Sequence, residues 1–338
     1  MKPPCLMFGK FEKISFWCYN THMSLCTELK TEYAELEELE KQFEVAFDEA
    51  VKTGKLEKAQ QLKTEIEKKL SSLKEKIIPK EIKANFTNPE TNETKEIKFN
   101  LQEQIQTWQQ FYQKENLPIP NEKEIKNSWR KNRQEIQKAM ETYGFDKILI
   151  IPENLPATEK LHTQMSQGYN ETYQDTDFKN AGSFAGAKHT ETQKTRIILC
   201  HNDQNTYENP QANFFAKQTL NKSILQLSSL TEPQLQTKIQ KQENIPINFE
   251  TQINNQKIQI EAEGLSLNEY LILQKQYFQA NQKHLDEKGW TWLLKTSSAS
   301  RIADASWNPG RSRLGVNAFD LGHSHDSLGC RLSRSFSS

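Results

Sequence analysis

The last 43 residues, Thr296 to Ser338, contain no Lys, Glu, Gln or Met. The first three of these types account for 101 of the 295 residues before them, so ordinary sampling does not explain the break. Arginine moves the other way: Arg301, Arg311, Arg313, Arg331 and Arg334 are five of the chain's eight. A planar guanidinium serves stacked and bidentate contacts better than an ammonium, and the tail therefore reads as a small β-rich module with its own charge chemistry. Within it, Leu314, Val316 and Ala318 fall on one face of an extended segment, and Gly315, Asn317 and Phe319 on the other. Fixed apolar residues would hold the core and leave the outward set free to vary. Asn308-Pro309-Gly310-Arg311 and the stretch Gly322 to Ser327 supply turn-rich loops beside it.

The chain as a whole is balanced, with 44 basic and 44 acidic residues and an isoelectric point near 7.1. No whole-chain field draws it to nucleic acid or anionic lipid, and neither is expected as a partner. No apolar run approaches the ~20 residues of a membrane helix. Lys2, Lys10, Glu12 and Lys13 interrupt the place where a secretory h-region would lie, so the expectation is a soluble, cytoplasmic protein. A length of 338 residues suggests two or three domains. With 35% hydrophobic residues and a mean hydropathy of −0.83, the composition suits exposed helices joined to smaller packed units. Cys5, Cys18, Cys26, Cys200 and Cys330 are odd in number and lack C-x-x-C spacing, so buried or free thiols are expected rather than a disulfide framework or a zinc knuckle.

The predicted class is α+β, in three parts after a leading stretch. Residues 1–26 are read as a mis-assigned or disordered extension; Met23, directly before the first helical pattern, is an alternative start. From Thr27, apolar residues at Leu29, Tyr33, Leu36, Phe43, Phe47 and Val51 recur at helical steps. A second register through Ala59, Leu62, Ile66, Leu70, Leu73 and Ile77 ends at Pro79. With Gly54 between them, residues 27–79 predict an antiparallel helical hairpin, a surface that packs or dimerises far more often than it holds a cofactor. Residues 80–264 predict a mixed α+β middle. It has a linker or short hairpin over 80–100 and helices over 101–115 and 122–143, the latter closed by Gly144. Strands follow at Lys147–Ile151 and Arg196–Cys200, and Asn202–Gln259 is too rich in Gln and Asn for firm assignment. Ser266-Leu267-Asn268-Glu269 is a capping box that opens a helix running to about Asp286.

The genetic code offers a second account of the tail. If the adenines of AAC or AAT codons are randomised, Asn, Ser, Asp, Gly, His, Arg, Tyr, Cys and Phe become reachable, but never Lys, Glu, Gln, Met or Trp. Trp290-Thr291-Trp292-Leu293-Leu294, Ser300-Arg301-Ile302, Ala305-Ser306-Trp307, Leu314-Gly315-Val316-Asn317-Ala318 and the stretch Leu328 to Phe336 together resemble the variable region of a diversity-generating retroelement target protein. Leu328-Gly329-Cys330-Arg331 is similar to that family's Gly-aromatic-Arg ending, with Cys330 where an aromatic is common. The resemblance implies a C-type-lectin-like ligand-binding domain over residues 265–338, rewritten by a reverse transcriptase that errs at template adenines. It implies a non-enzymatic protein that shows a diversified surface to a protein or other macromolecular ligand. The expected contacts are Ala303, Asp304, Ser306, Asn308, Gly310, Arg311, Gly315, Asn317, Phe319, Asp320, His323, Ser324, His325, Asp326, Cys330 and Leu332. Small polar and aromatic side chains on a rigid frame are the physics of an antibody-like paratope. Trp290, Trp292, Trp307, Leu314, Val316, Leu328 and Phe336 are expected to be buried.

Other chemistry has weaker footing. His323-Ser324-His325-Asp326 is the best metal or acid/base candidate, yet His and Asp are ordinary outcomes of a variable polar loop, and no metal or other cofactor is expected. Asp304, Asp320 and Asp326 are too few for calcium. Gly182 to Lys188 departs from phosphate-loop spacing and reads as a loop. Cys200-His201 reads as a strand end with an exposed histidine. Nothing matches G-x-S-x-G or H-E-x-x-H, so no enzyme is expected. The rival reading is a structural or assembly protein, in which the coiled-coil hairpin oligomerises and the tail docks one invariant partner.

Overall fold

The computed structural model describes residues 23–77, 80–166, 187–189, 194–204, 214–311 and 313–337. Of the extension expected over 1–26, residues 1–22 lie outside the described residues and 23–26 are helical instead; of the loop expected over 182–188, residues 182–186 lie outside them and Ala187 and Lys188 belong to a strand. The class is mixed α+β, and the chain divides into two compact units, Met1–Pro79 and Lys80–Ser338.

The first unit contains α1 (Met23–Thr53) and α2 (Glu57–Ile77). The chain leaves α1 through Gly54, whose φ of +74° favours a residue without a Cβ and whose N–H donates to the Ala50 carbonyl at 2.8 Å. Leu36 clusters with Ile66 and Leu73, and Leu39, Phe43 and Leu70 pack partly buried against them. Lys69 pairs with Glu35 between the helices.

In the second unit, β1 (Glu81–Thr87) and β2 (Thr94–Asn100) form an antiparallel hairpin where a linker or hairpin was expected. The Asn100 side chain then accepts from the Gln102 and Glu103 amides and opens α3 (Leu101–Lys114). The region expected as one helix over 122–143 is two: α4 (Glu122–Lys131) and α5 (Arg133–Tyr143). Asn132 breaks it, its backbone held off helical values at φ −103° and ψ 12° while its side-chain amide donates to the Ser128 and Ser337 carbonyls. Gly144, at φ +70°, caps α5 as expected.

There follow β3 (Lys147–Ile151), α6 (Thr158–Ser166), β4 (Ala187–His189), β5 (Arg196–Cys200), α7 (Phe214–Lys217), α8 (Ile224–Ser228) and α9 (Glu232–Lys241). The hairpin β6 (Ile247–Ile253) and β7 (Gln256–Ala262) lies in the stretch too biased to read from sequence. Next is α10 (Leu267–Asn281), opened by the expected Ser266–Glu269 capping box but ending before Asp286, because Gln282 turns left-handed at φ +55°. The chain finishes with β8 (Trp290–Ser298), β9 (Arg301–Asn308), β10 (Arg313–Phe319), β11 (Leu328–Gly329) and β12 (Ser333–Ser337).

Two sheets join the middle of the chain to its end. One runs β12-β5-β3, all antiparallel, so the last strand covers the edge that β5 would otherwise expose. The other runs β10-β9-β8-β11, with β4 also paired to β8. The expected boundary at 264/265 is thus crossed in both directions, and Lys80–Ser338 is one unit. Trp108 Nε1 and Tyr112 Oη donate to the Ile148 and Ile150 carbonyls and tie α3 to β3.

Charge is also buried here. Arg196 donates to the Glu269 carboxylate at 2.9 Å, and Lys295 lies 2.9 Å from Glu263 and 3.6 Å from Glu269. Burial pushes the Glu269 carboxyl up, but Lys295 and Arg196 outweigh it and hold the group below the usual carboxylate range.

Candidate functional site

The candidate site forms on one face of the sheet β10-β9-β8. Directly paired residues of antiparallel strands share a face, so Trp292, Asp304 and Asn317 form one row. Trp290, Ser306 and Gly315 form the next. The Trp290 ring lies over Gly315, closely enough that a Cβ at position 315 would meet its Cη2 at 3.0 Å. Beside this ring is an open pocket of about 290 Å³, lined by Glu287, Lys288, Gly289, Trp290, Ser306, Trp307, Asn308, Pro309 and Ser327. Its aromatic platform carries a rim of two hydroxyls, an amide, a carboxylate and an ammonium.

The loop after β10 continues this face. Phe319 and His323 stack with centroids 4.0 Å apart, and Trp292 meets both edge-on, at 6.4 and 6.3 Å. His325 Nδ1 lies 3.0 Å from Ser327 Oγ on the pocket rim. Arg301 Nε donates to Asp320 at 3.2 Å in the open. The two histidines therefore meet Phe319 and Ser327, and among the described residues no group of three or more His, Cys, Asp or Glu side chains is arranged for a metal ion.

Of the expected contacts, Asn308, Gly310, Asp320, Ser324, His325 and Asp326 are exposed, and Gly315, Asn317, Phe319 and His323 are half-buried. The side chain of Arg311 lies outside the described residues. Five expectations need correction, because Ala303, Asp304, Ser306, Cys330 and Leu332 are buried. Ala303 sits in the row of Leu293 and Ala318, on the opposite face. Asp304 and Ser306 occupy the expected face, but Asp304 lies between the side chains of Trp292 and Asn317 in the middle of the sheet, and only Ser306 reaches the pocket wall. Cys330 donates its amide to Thr219 Oγ1 at 2.7 Å, inside the unit. Of the residues expected inside, Trp292, Trp307, Leu314, Val316, Leu328 and Phe336 are buried, whereas Trp290 is half-buried and forms the pocket wall.

A second cluster escaped the sequence reading. Arg331 is fully buried and donates to Asp286 at 2.9 Å and to the carbonyls of His201 and Asp203 at 3.2 and 3.1 Å. His201, expected as an exposed strand end, is buried with Phe145 5.1 Å away. Burial holds its imidazole down to about 4, and burial together with Asp146 pushes Asp203 up to about 6. Cys200, also buried, is pushed up to about 12 by desolvation and is no nucleophile. These residues come from separate places in the chain, and only the Gly-x-Arg ending gave a local signal for any of them. Comparison of the chain with protein-family models, curated proteins and solved structures finds no match.

Proposed function

We propose that this chain is a non-enzymatic cytoplasmic binding protein that displays a diversified surface on a C-type-lectin-like C-terminal domain. Its partner is a protein or other macromolecule rather than nucleic acid or membrane, and an antiparallel helical hairpin stands at the N-terminal end. The variation is written by retroelement-directed mutagenesis at adenines. The observation carrying this reading is the division of labour in the tail. Trp292, Trp307, Leu314 and Val316 pack inside, while Asn308, Gly315, Asn317, Phe319, His323 and His325 run continuously along one face from the pocket to the loop. The absence of Lys, Glu, Gln and Met after Lys295 fits the same account. The contact set is narrowed to the exposed and half-buried positions; Ala303, Asp304, Cys330 and Leu332 drop out, and Ser306 remains only as pocket wall. Among the described residues, no helix is long and apolar enough to cross a membrane.

Sequencing this locus and its neighbourhood in many isolates tests the reading. Expected are a reverse-transcriptase gene, a near-copy of the final coding segment differing only at adenines, and substitutions concentrated at positions 308–326 on the exposed face. A tail invariant between isolates, with no such copy nearby, would overturn it in favour of a docking module with one fixed partner.

A further inference from the structure

Among the described residues, the buried core of the helix pair in the unit Met1–Pro79 is small. Leu36, Ile66 and Leu73, with Ala46, Ala50 and Ala59 also buried and Leu39, Phe43 and Leu70 half-covered, hold helices of 31 and 21 residues.

Among the described residues, Val45, Val51 and Leu56 of this unit are exposed at 68, 70 and 51%, as is Ile119 of the other unit at 54%; Val45 lies on the far side of α1 from Phe47, whereas Val51 shares its face. Phe43 and Phe47, with rings 5.9 Å apart, continue to Val51 at successive steps of four along α1.

Charge selects the occupant. Helix α1 holds nine acidic and three basic side chains, and α2 holds four acidic and six basic. Glu40, three residues before Phe43, has a buried Oε1 without a hydrogen-bond partner. Its carboxyl is pushed up by burial and then by Glu37 and Glu44, so the nearest charges repel it. A cationic helix laid against this row would relieve that, and this chain owns one.

We infer that the chain self-associates through this unit, a second copy laying its helices across Phe43, Phe47 and Val51 so that α1 of each faces α2 of the other in a four-helix bundle. The alternative, α1 against α1, sets acid against acid. At ~1.5 Å per residue the shorter helix is ~30 Å long, and two helices side by side are ~20 Å wide, giving ~600 Å² in projection, the low end of the ~600–1,000 Å² that each partner buries in a specific interface. The inference stands apart from the ligand-binding reading, and under that reading each particle would carry two binding faces.

Sedimentation of the full chain at micromolar concentration and low salt tests it. The expected mass is twice 39.3 kDa; a single-chain mass, or three or more chains, overturns the proposal. Val51→Glu with Leu56→Glu changes side chains already exposed, so helical circular dichroism should persist while the dimer weakens about tenfold or more. A dimer of unchanged strength in that variant would assign association to another surface and overturn this one. As a second measurement, raising sodium chloride to about 0.5 M should weaken the wild-type dimer several-fold by screening; no salt effect would remove the charge pairing on which the arrangement rests.

Discussion

The helix pair and the Lys80–Ser338 unit use the same charged residues to opposite ends. In the helix pair, Lys63 and Glu67 sit 4.0 Å apart, two-thirds exposed, as a solvated i,i+4 pair. In the larger unit, Arg331 and Asp286 meet at 2.9 Å with both side chains at 0% exposure. An exposed pair is screened and contributes little, whereas a buried pair left with one member strands a charge away from water. The 44 basic and 44 acidic residues therefore say little about stability until each is assigned a depth.

Substitutions of graded size test the contrast. The largest effect is expected from Arg331→Met, which takes the guanidinium away from Asp286 and removes the donor to the His201 and Asp203 carbonyls. Urea unfolding followed by tryptophan fluorescence should show a loss of ~3–5 kcal/mol. Adding Asp286→Leu should recover most of it; no recovery would mean the carbonyl contacts, not the ion pair, carry the cost.

The next test is by pH. His201 is held at about 4 against an ordinary 6.5, so its contribution is full above pH 6.5 and is lost as pH falls toward 4. Asp203, raised to about 6 from 3.8, works in the opposite sense: its contribution is full below 3.8 and is lost as pH rises through 6. His201 and Asp203 are each worth on the order of 3 kcal/mol and offset one another, while His284, which burial also holds down to about 4, adds a loss on acidification, so wild-type stability should fall from pH 6.5 to 4. Asp203→Asn should make that fall steeper, and His201→Gln should make it shallower. Profiles unchanged from wild type in both variants would contradict these assignments.

Smaller again is Gly315→Ala. Its new Cβ forces the Trp290 ring to move, for a loss of about 1 kcal/mol and an altered tryptophan emission spectrum. An unchanged spectrum would show that the pocket wall yields freely. The smallest is Lys63→Ala, expected within about 0.5 kcal/mol of wild type; a larger loss would show that the solvated pair does more than its exposure allows.

Much of the local structure was legible. Gly54, Gly144, Ser266 with Glu269, and the alternation of Leu314 and Val316 all act within a turn or a strand, where a residue's preference is set by its near neighbours. Asn132 shows the edge of that reach. The apolar period ran straight through 122–143, and the break came at this residue, whose side-chain amide donates to the Ser337 carbonyl, 205 residues away. The candidate site behaved alike. Alternation put Asp304 and Ser306 on the correct face, but a face is open or covered according to what packs over it.

From the residues alone came the α+β class, the helix caps at Gly54, Gly144 and Ser266, the strand alternation and the abrupt change of chemistry after Lys295, because caps, periods and composition are short-range properties. The tertiary structure decided that β12 completes the sheet of β5, that Arg331 and Asp286 meet beneath His201, and that Cys330 and Leu332 lie inside. Those outcomes depend on which distant segments share a core, and burial is a property of the assembled surface that no single segment carries.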